Sequence, residues 1–265
     1  MLEHLKALLL GIIQGLTEFL PVSSSGHLEL ANYFFGERGI PKDQVLMTVT
    51  LHLATVLATL IVFRKDIQSI LKGVFRREKS ALQYAGFIIL SMIPAVFIGL
   101  VFEDVIDALF DSNILLVGSM LILTGIGLLV SDKVKGGKLQ IRNASALLIG
   151  FAQAIAILPG ISRSGATIGT ALLLGVNREE AARFSFLMVI PVILGKVALD
   201  IIQGDYTHTT LPFTVLLVGF FAALISGYFA CRWMTSIVRR ARLAYFGWYC
   251  LTIGLIGVAW VLVIR

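Results

Sequence analysis

Charge is what this sequence has least of. Asp, Glu, Lys and Arg make up 14% of the 265 residues against 57% hydrophobic ones, and the mean hydropathy is +0.91. So little charge cannot cover a soluble surface, which excludes an ordinary water-soluble domain and points to a membrane protein. Cysteine is nearly absent too. Cys231 and Cys250 form no CxxC pattern, which excludes a disulfide framework or a cysteine-held metal and leaves two small buried hydrophobes. The net charge of +6 does not gather on one soluble face, so nucleic acid is disfavoured as a partner.

What is present is long apolar sequence. Stretches at about 46–63, 84–102, 114–131, 183–202, 212–231 and 243–263 approach the length needed to cross a bilayer, giving six expected spans. The amino-terminal run, Met1 to Leu20 with Lys6 near its start, has no small-residue cleavage pattern after it and is expected to be retained structure. Basic residues crowd three connections: Arg64 to Lys79, Lys133 to Arg142 with Lys135 and Lys138, and Arg239 to Arg242. By the positive-inside rule these are cytoplasmic. The connections Glu103–Asn113 and Gln203–Leu211 carry acids and no Lys or Arg, as outward loops would.

Two polar strings interrupt the apolar runs: Pro21-Val22-Ser23-Ser24-Ser25-Gly26-His27 and Pro159-Gly160-Ile161-Ser162-Arg163-Ser164-Gly165-Ala166-Thr167. A shift of 139 positions aligns Ser23 with Ser162, Gly26 with Gly165, Gln14 with Gln153 and Gly11 with Gly150. Each break creates a helix N-terminus whose unpaired N–H groups and positive dipole end attract an anion. Counting spans from the basic loops makes 1–35 re-entrant from outside and 144–175 re-entrant from the cytoplasm. The expected fold is therefore all-α: six transmembrane helices plus two re-entrant helical hairpins, one membrane domain (1–265) made of inverted repeats 1–131 and 144–263. An eight-span arrangement, with both hairpins crossing fully, is the alternative. The two tips should meet in a polar cavity near the midplane.

Several residues in these strings could carry chemistry. Gln14 and Glu18 are four apart on one helical face, and an acid at membrane depth usually faces a cavity; the plainer reading of Glu18 is a hydrogen bond to Ser23 or the loop backbone. Ser24 and His27, three apart, could place a hydroxyl beside an imidazole, for nucleophilic attack or proton donation; a helix cap with a satisfied histidine is the plainer reading. Arg163 between Ser162 and Ser164 suits phosphate oxygens, with Gly165 allowing close backbone approach and Thr167 adding a donor. Its alternative is a buried ion pair with Glu18 across the two tips. Ser23, Ser25 and Gly26 would complete the cradle. His52 is expected to face the cavity or bridge helices, and His4 and His208 to lie at interfaces. Lys196 and Asp200 could pair, Glu29 is an open candidate for cation binding, and Gly219, Ala223 and Gly227 form a small-residue stripe suited to close packing or a dimer seam.

These strings resemble those of the undecaprenyl-diphosphate phosphatases of the bacitracin-resistance type. The likeness runs through Gln14-Gly15-Leu16-Thr17-Glu18-Phe19-Leu20-Pro21-Val22-Ser23-Ser24-Ser25-Gly26-His27 and Pro159 to Thr167, and the span order matches over nearly the whole chain. The resemblance implies that Gln14 and Glu18, Ser24 and His27, and Ser162, Arg163 and Thr167 occupy the family's site positions. It implies hydrolysis of a polyprenyl diphosphate at the outer face of the bacterial inner membrane, recycling the carrier for envelope polymers. It also implies bacitracin resistance and help from a divalent cation such as Mg or Ca. Gln14 stands where some members have Glu, leaving Glu18 as the one carboxylate for metal or base work. The competing class is a polyprenyl-phosphate flippase or anion transporter, which would keep Arg163 without needing Ser24 and His27. An acid-phosphatase-like lipid phosphatase needs a histidine six positions after its arginine, where this chain has Gly169.

Overall fold

A computed structural model describes residues 1–35, 42–109, 113–134, 137–203, 211–239 and 243–264. Lys135, His208, Arg240 and Arg242 and the side chain of Asp200 lie outside what is described. The described residues form twelve helices and one isolated bridge, Leu139 with Val176. In chain order they are α1 (Leu2–Phe19), α2 (Ser24–Phe34), α3 (Lys42–Val62), α4 (Arg64–Phe75), α5 (Lys79–Val101), α6 (Glu103–Leu109), α7 (Ile114–Asp132), α8 (Asn143–Ile155), α9 (Arg163–Leu173), α10 (Arg178–Gln203), α11 (Phe213–Arg239) and α12 (Ala244–Ile264).

Helices α3, α5, α7, α10, α11 and α12 are long and apolar enough to cross a membrane, and they coincide with the six runs read from sequence. The chain is a multi-pass membrane protein. The basic connection from Arg64 to Lys79 holds a short helix, α4. Its last turn turns Leu71 and Phe75 outward beside Lys72 and Arg76.

Small residues set how closely the helices approach. A side chain at Gly11 would meet the Gly219 carbonyl, and one at Gly15 would meet backbone at Ala223 and Gly227, so α1 runs parallel to α11 in backbone contact. The stripe of Gly219, Ala223 and Gly227 is therefore used inside the chain and offers no seam to a second copy. Along α7 and α12 the pairs are Gly118 with Gly254 and Gly125 with Gly247, which makes those helices antiparallel. Gly150 of α8 sits on the Ser91 backbone of α5.

Ion pairs tie the helix ends. Asp66 at the start of α4 bonds Arg183 of α10 at 2.7 Å, and Asp132 at the end of α7 lies 3.9 Å from Arg178 of α10 and accepts from the Leu243 amide just before α12. The end of α7 and the starts of α4, α10 and α12 thus share one end of the bundle. Toward the other end, Lys196 lies 3.9 Å from Glu103 of α6; its expected pairing with Asp200 falls on a side chain outside what is described.

Candidate functional site

Both polar strings break the helix as expected. The first break lies between α1 and α2. Pro21 lacks an amide to continue α1, and Ser23 caps α2, its Oγ accepting from the Gly26 amide at 3.2 Å. Ser23 holds φ 71°, a left-handed conformation that costs a non-glycine residue free energy and persists only under surrounding constraint. In the second break Gly160 takes the positive φ of 96°, and Ser162 caps α9 through the Gly165 amide at 3.1 Å.

The two breaks touch. A side chain on Gly26 would lie 3.0 Å from the Gly160 Cα, and one on Gly165 would lie 3.4 Å from the Pro21 Cβ. Ser164 Oγ donates to the Leu20 carbonyl at 3.2 Å. The glycines therefore serve the crossing of the tips rather than an approach by a ligand.

At the crossing sits one connected polar group. Arg163 Nη2 donates to Glu18 Oε1 at 2.6 Å, while Ser24 Oγ and Gln14 Nε2 donate to Glu18 Oε2 at 2.8 and 3.1 Å. Arg163 Nη1 reaches the Ser185 carbonyl of α10 at 3.4 Å, and Ser185 Oγ and Thr167 Oγ1 are 2.6 Å apart. Gln14 is wholly buried with its Oε1 unpartnered, and Gln153, its counterpart in the second half, is buried with both amide atoms unpartnered.

The structure corrects two expectations. Ser24 does not pair with His27: its hydroxyl is on Glu18, and His27 Nδ1 donates to the Ser23 carbonyl at 2.8 Å while Nε2 faces the Tyr249 hydroxyl at 2.9 Å. Residues three apart share a helix face, but the imidazole takes the carbonyl four back, and the acid from the preceding half-helix reaches across the turn to the serine. The hydroxyls of Ser23, Ser162, Ser164 and Thr167 are buried and bonded within the protein, so they build the tips rather than line an open cradle. Ser24, Ser25, His27 and Arg163 are the polar site residues left partly open.

Sequence reasoning missed Thr124, Ser185 and Tyr249. Thr124 Oγ1 donates to the Gly160 carbonyl and accepts from the Ser162 amide, both at 3.1 Å, clamping the second tip to α7. Thr124 stands four apolar residues from the nearest other hydroxyl in α7, and such isolation could have flagged it; Ser185 beside Arg183, and Tyr249 between Tyr245 and Thr252, carry no such signal. His52 bonds the Thr48 carbonyl of its own helix, and His4 lies 3.1 Å from Thr214 at the exposed junction of α1 and α11.

Six spanning helices around two short half-helix pairs, with an acid, a guanidinium and a serine at the crossing, define an integral membrane protein with a charged polar centre. Residues 7–256 match the family described as Bacitracin resistance protein BacA, and the chain belongs to that family. It is 51% identical to an undecaprenyl-diphosphatase of Christiangramia forsetii over 97% of this chain and 98% of that one. A Bacteroides fragilis protein of the same name is 46% identical with the same coverage, and one from Carboxydothermus hydrogenoformans is 40% identical over 96% of this chain and 95% of its own.

Proposed function

We propose that the chain hydrolyses undecaprenyl diphosphate to undecaprenyl phosphate and inorganic phosphate, recycling the lipid carrier for cell-envelope polymers and conferring bacitracin resistance. The observation that carries this reading is the Ser24 hydroxyl held 2.8 Å from a carboxylate that Arg163 grips on its other oxygen. A nucleophile, its base and a phosphate-binding fork then stand together. The bonds of Arg163 to Glu18 and to the Ser185 carbonyl use two of its five N–H donors, so it can bind phosphoryl oxygens without releasing Glu18. The relatives are named for hydrolysis, and nothing favours the transporter alternative.

In the mechanism, Ser24 Oγ attacks the terminal phosphorus as Glu18 takes its proton. The bond from that phosphorus to the bridging oxygen breaks, and polyprenyl phosphate leaves with the electron pair. A monophosphate is a stable leaving anion, so the barrier falls mainly to positioning and to charge stabilisation by Arg163 and nearby amides. Water then attacks the phosphoserine as His27 takes its proton; the bond from phosphorus to Ser24 Oγ breaks, Glu18 returns its proton to that oxygen, and inorganic phosphate leaves. Gln14, Ser23, Gly26, Ser162, Ser164, Gly165 and Thr167 build the crossed tips that hold Glu18, Ser24 and Arg163 in place, and the partly open Ser25 can meet the diphosphate beside them.

The residues do not fit a resident metal. Among the described residues no three His, Cys, Asp or Glu side chains gather to hold one, and both Glu18 oxygens are engaged within the protein. A divalent cation such as Mg or Ca belongs on the substrate's own phosphates, and no step above runs through it.

The same reading assigns the site to the outer face of the inner membrane, inside an inverted repeat of 1–131 and 144–263. Its support is directional. With the basic connections cytoplasmic, α3 and α7 run inward and α12 outward. Along α1 the contacts advance with α11, from His4 with Thr214 to Gly15 with Gly227, and Gly227 also lies beside Ala58 of α3, so α1 enters from outside. Helix α2 then runs outward beside α12, since His27 meets Tyr249 and Phe34 meets Trp260. Helix α9 runs inward beside α7, with Ser162 on Thr124 and Gly169 on Ser131. Each hairpin thus returns to the face it entered. Any homodimer uses a surface other than the α11 stripe.

Purified protein in detergent, with no compartments to transport between, should release phosphate from undecaprenyl diphosphate. Ser24→Ala should abolish that release, and a variant as fast as the parent would remove Ser24 as the nucleophile.

A further inference from the structure

One side chain from α12 reaches into the first tip, and neither the family motif nor the mechanism above uses it. His27 Nδ1 is 2.8 Å from the Ser23 carbonyl. A carbonyl only accepts, so Nδ1 carries a proton, and in the neutral ring Nε2 is an acceptor. The group facing Nε2 is the Tyr249 hydroxyl at 2.9 Å. The two rings also stack, centroids 5.6 Å apart and planes 9° from parallel. The next residue, Cys250, places its Sγ 3.7 Å from the Pro21 carbonyl, so consecutive residues of α12 both hold this tip.

We infer that Tyr249 is a positioning residue for the phosphatase reaction: its stacked ring and hydroxyl hold the His27 imidazole in one orientation and one tautomer at the first tip. A free neutral imidazole exchanges tautomers and turns about its side-chain bonds; this one is fixed on both nitrogens and one face. A phenol hydroxyl can donate to neutral Nε2 and, after rotating, accept from it once protonated. The ring therefore keeps its place through both halves of a proton exchange. Tyr249 is 43% exposed, so it holds the histidine from the open side of the site. The inference rests on the phosphatase reading and on the proton role of His27.

The test is steady-state phosphate release from undecaprenyl diphosphate by purified parent, Tyr249→Phe, Tyr249→Leu, His27→Ala and the Tyr249→Phe/His27→Ala pair. Tyr249→Phe keeps the stack and loses the hydroxyl. It should lower kcat roughly tenfold, part of what a positioned proton carrier contributes, with KM unchanged. Tyr249→Leu, which loses both, should be slower still. In the His27→Ala background Tyr249→Phe should cost nothing more, because its effect runs through the imidazole. Parental kcat in Tyr249→Phe, or an equal further loss in the double variant, would overturn the inference. A parent protein that releases no phosphate would instead sink the phosphatase reading itself.

Discussion

Glu18 and Arg163 carry the account at the scale of single residues. Their side chains are 7% and 15% exposed, so both charges are largely out of water, and such a pair persists because each desolvated group has the other and further hydrogen bonds. Removing either partner strands the other charge, so a plain Arg163→Ala confounds stability with function. Arg163→Lys separates them. It keeps the positive charge beside Glu18, and its melting temperature in detergent should stay close to the parent's. It loses the planar fork, and kcat for phosphate release should fall on the order of 10²-fold, comparable to the loss of one transition-state donor. Unchanged kcat would mean Arg163 only ties the tips together. Which residues gather at the centre was legible in the sequence, because an acid and an arginine in apolar helices have few partners but each other. Which atom bonds which was not. Spacing put Ser24 and His27 on one face without fixing their rotamers, and nothing local foretold that Tyr249, 222 positions away, would meet His27.

Among the helices, close packing explains much of the architecture. Side chains are absent where helix backbones meet, as at Gly125, where an added Cβ would lie 2.7 Å from the Gly247 carbonyl. Backbone cannot yield as a flexible side chain does. Gly125→Leu should therefore destabilise the protein by about 1–3 kcal/mol, read as a fall in melting temperature in detergent. Gly86→Leu, on an exposed position of α5 with nothing within 4 Å of the added Cβ, should leave it unchanged or raised. If the two variants melt alike, the α7–α12 approach is not what holds these helices. The six long helices were legible because uninterrupted apolar length is a strong signal, though charged and polar end turns carry α5, α10 and α11 beyond the apolar runs, α11 as far as Arg239. Helix α4 was not, because its basic residues masked the apolar Leu71 and Phe75 one turn apart.

For the whole molecule, charge placement and packing direction agree. Asp66 and Asp132 meet arginines at the start of α10, α2 runs along α12, and α9 runs along α7. That both strings would break a helix and restart it at a serine cap was legible from a fixed 139-residue shift between them. Their departures from symmetry were not: Ser23 takes the left-handed backbone in one tip, while Gly160 does so in the other.

The central claim is that two chain segments from opposite halves meet at one phosphate-releasing centre. The most direct test places Pro21→Cys and Gly165→Cys in a chain whose Cys231 and Cys250 are replaced by Ala, oxidises it mildly in membranes and counts free thiols with a maleimide. The added Cβ of Gly165 lies 3.4 Å from that of Pro21, near the separation a disulfide spans. The account predicts that both thiols disappear into an intramolecular bond that reductant reverses. Two thiols that stay fully reactive after oxidation would show that the tips do not meet, and the shared centre would fall with them.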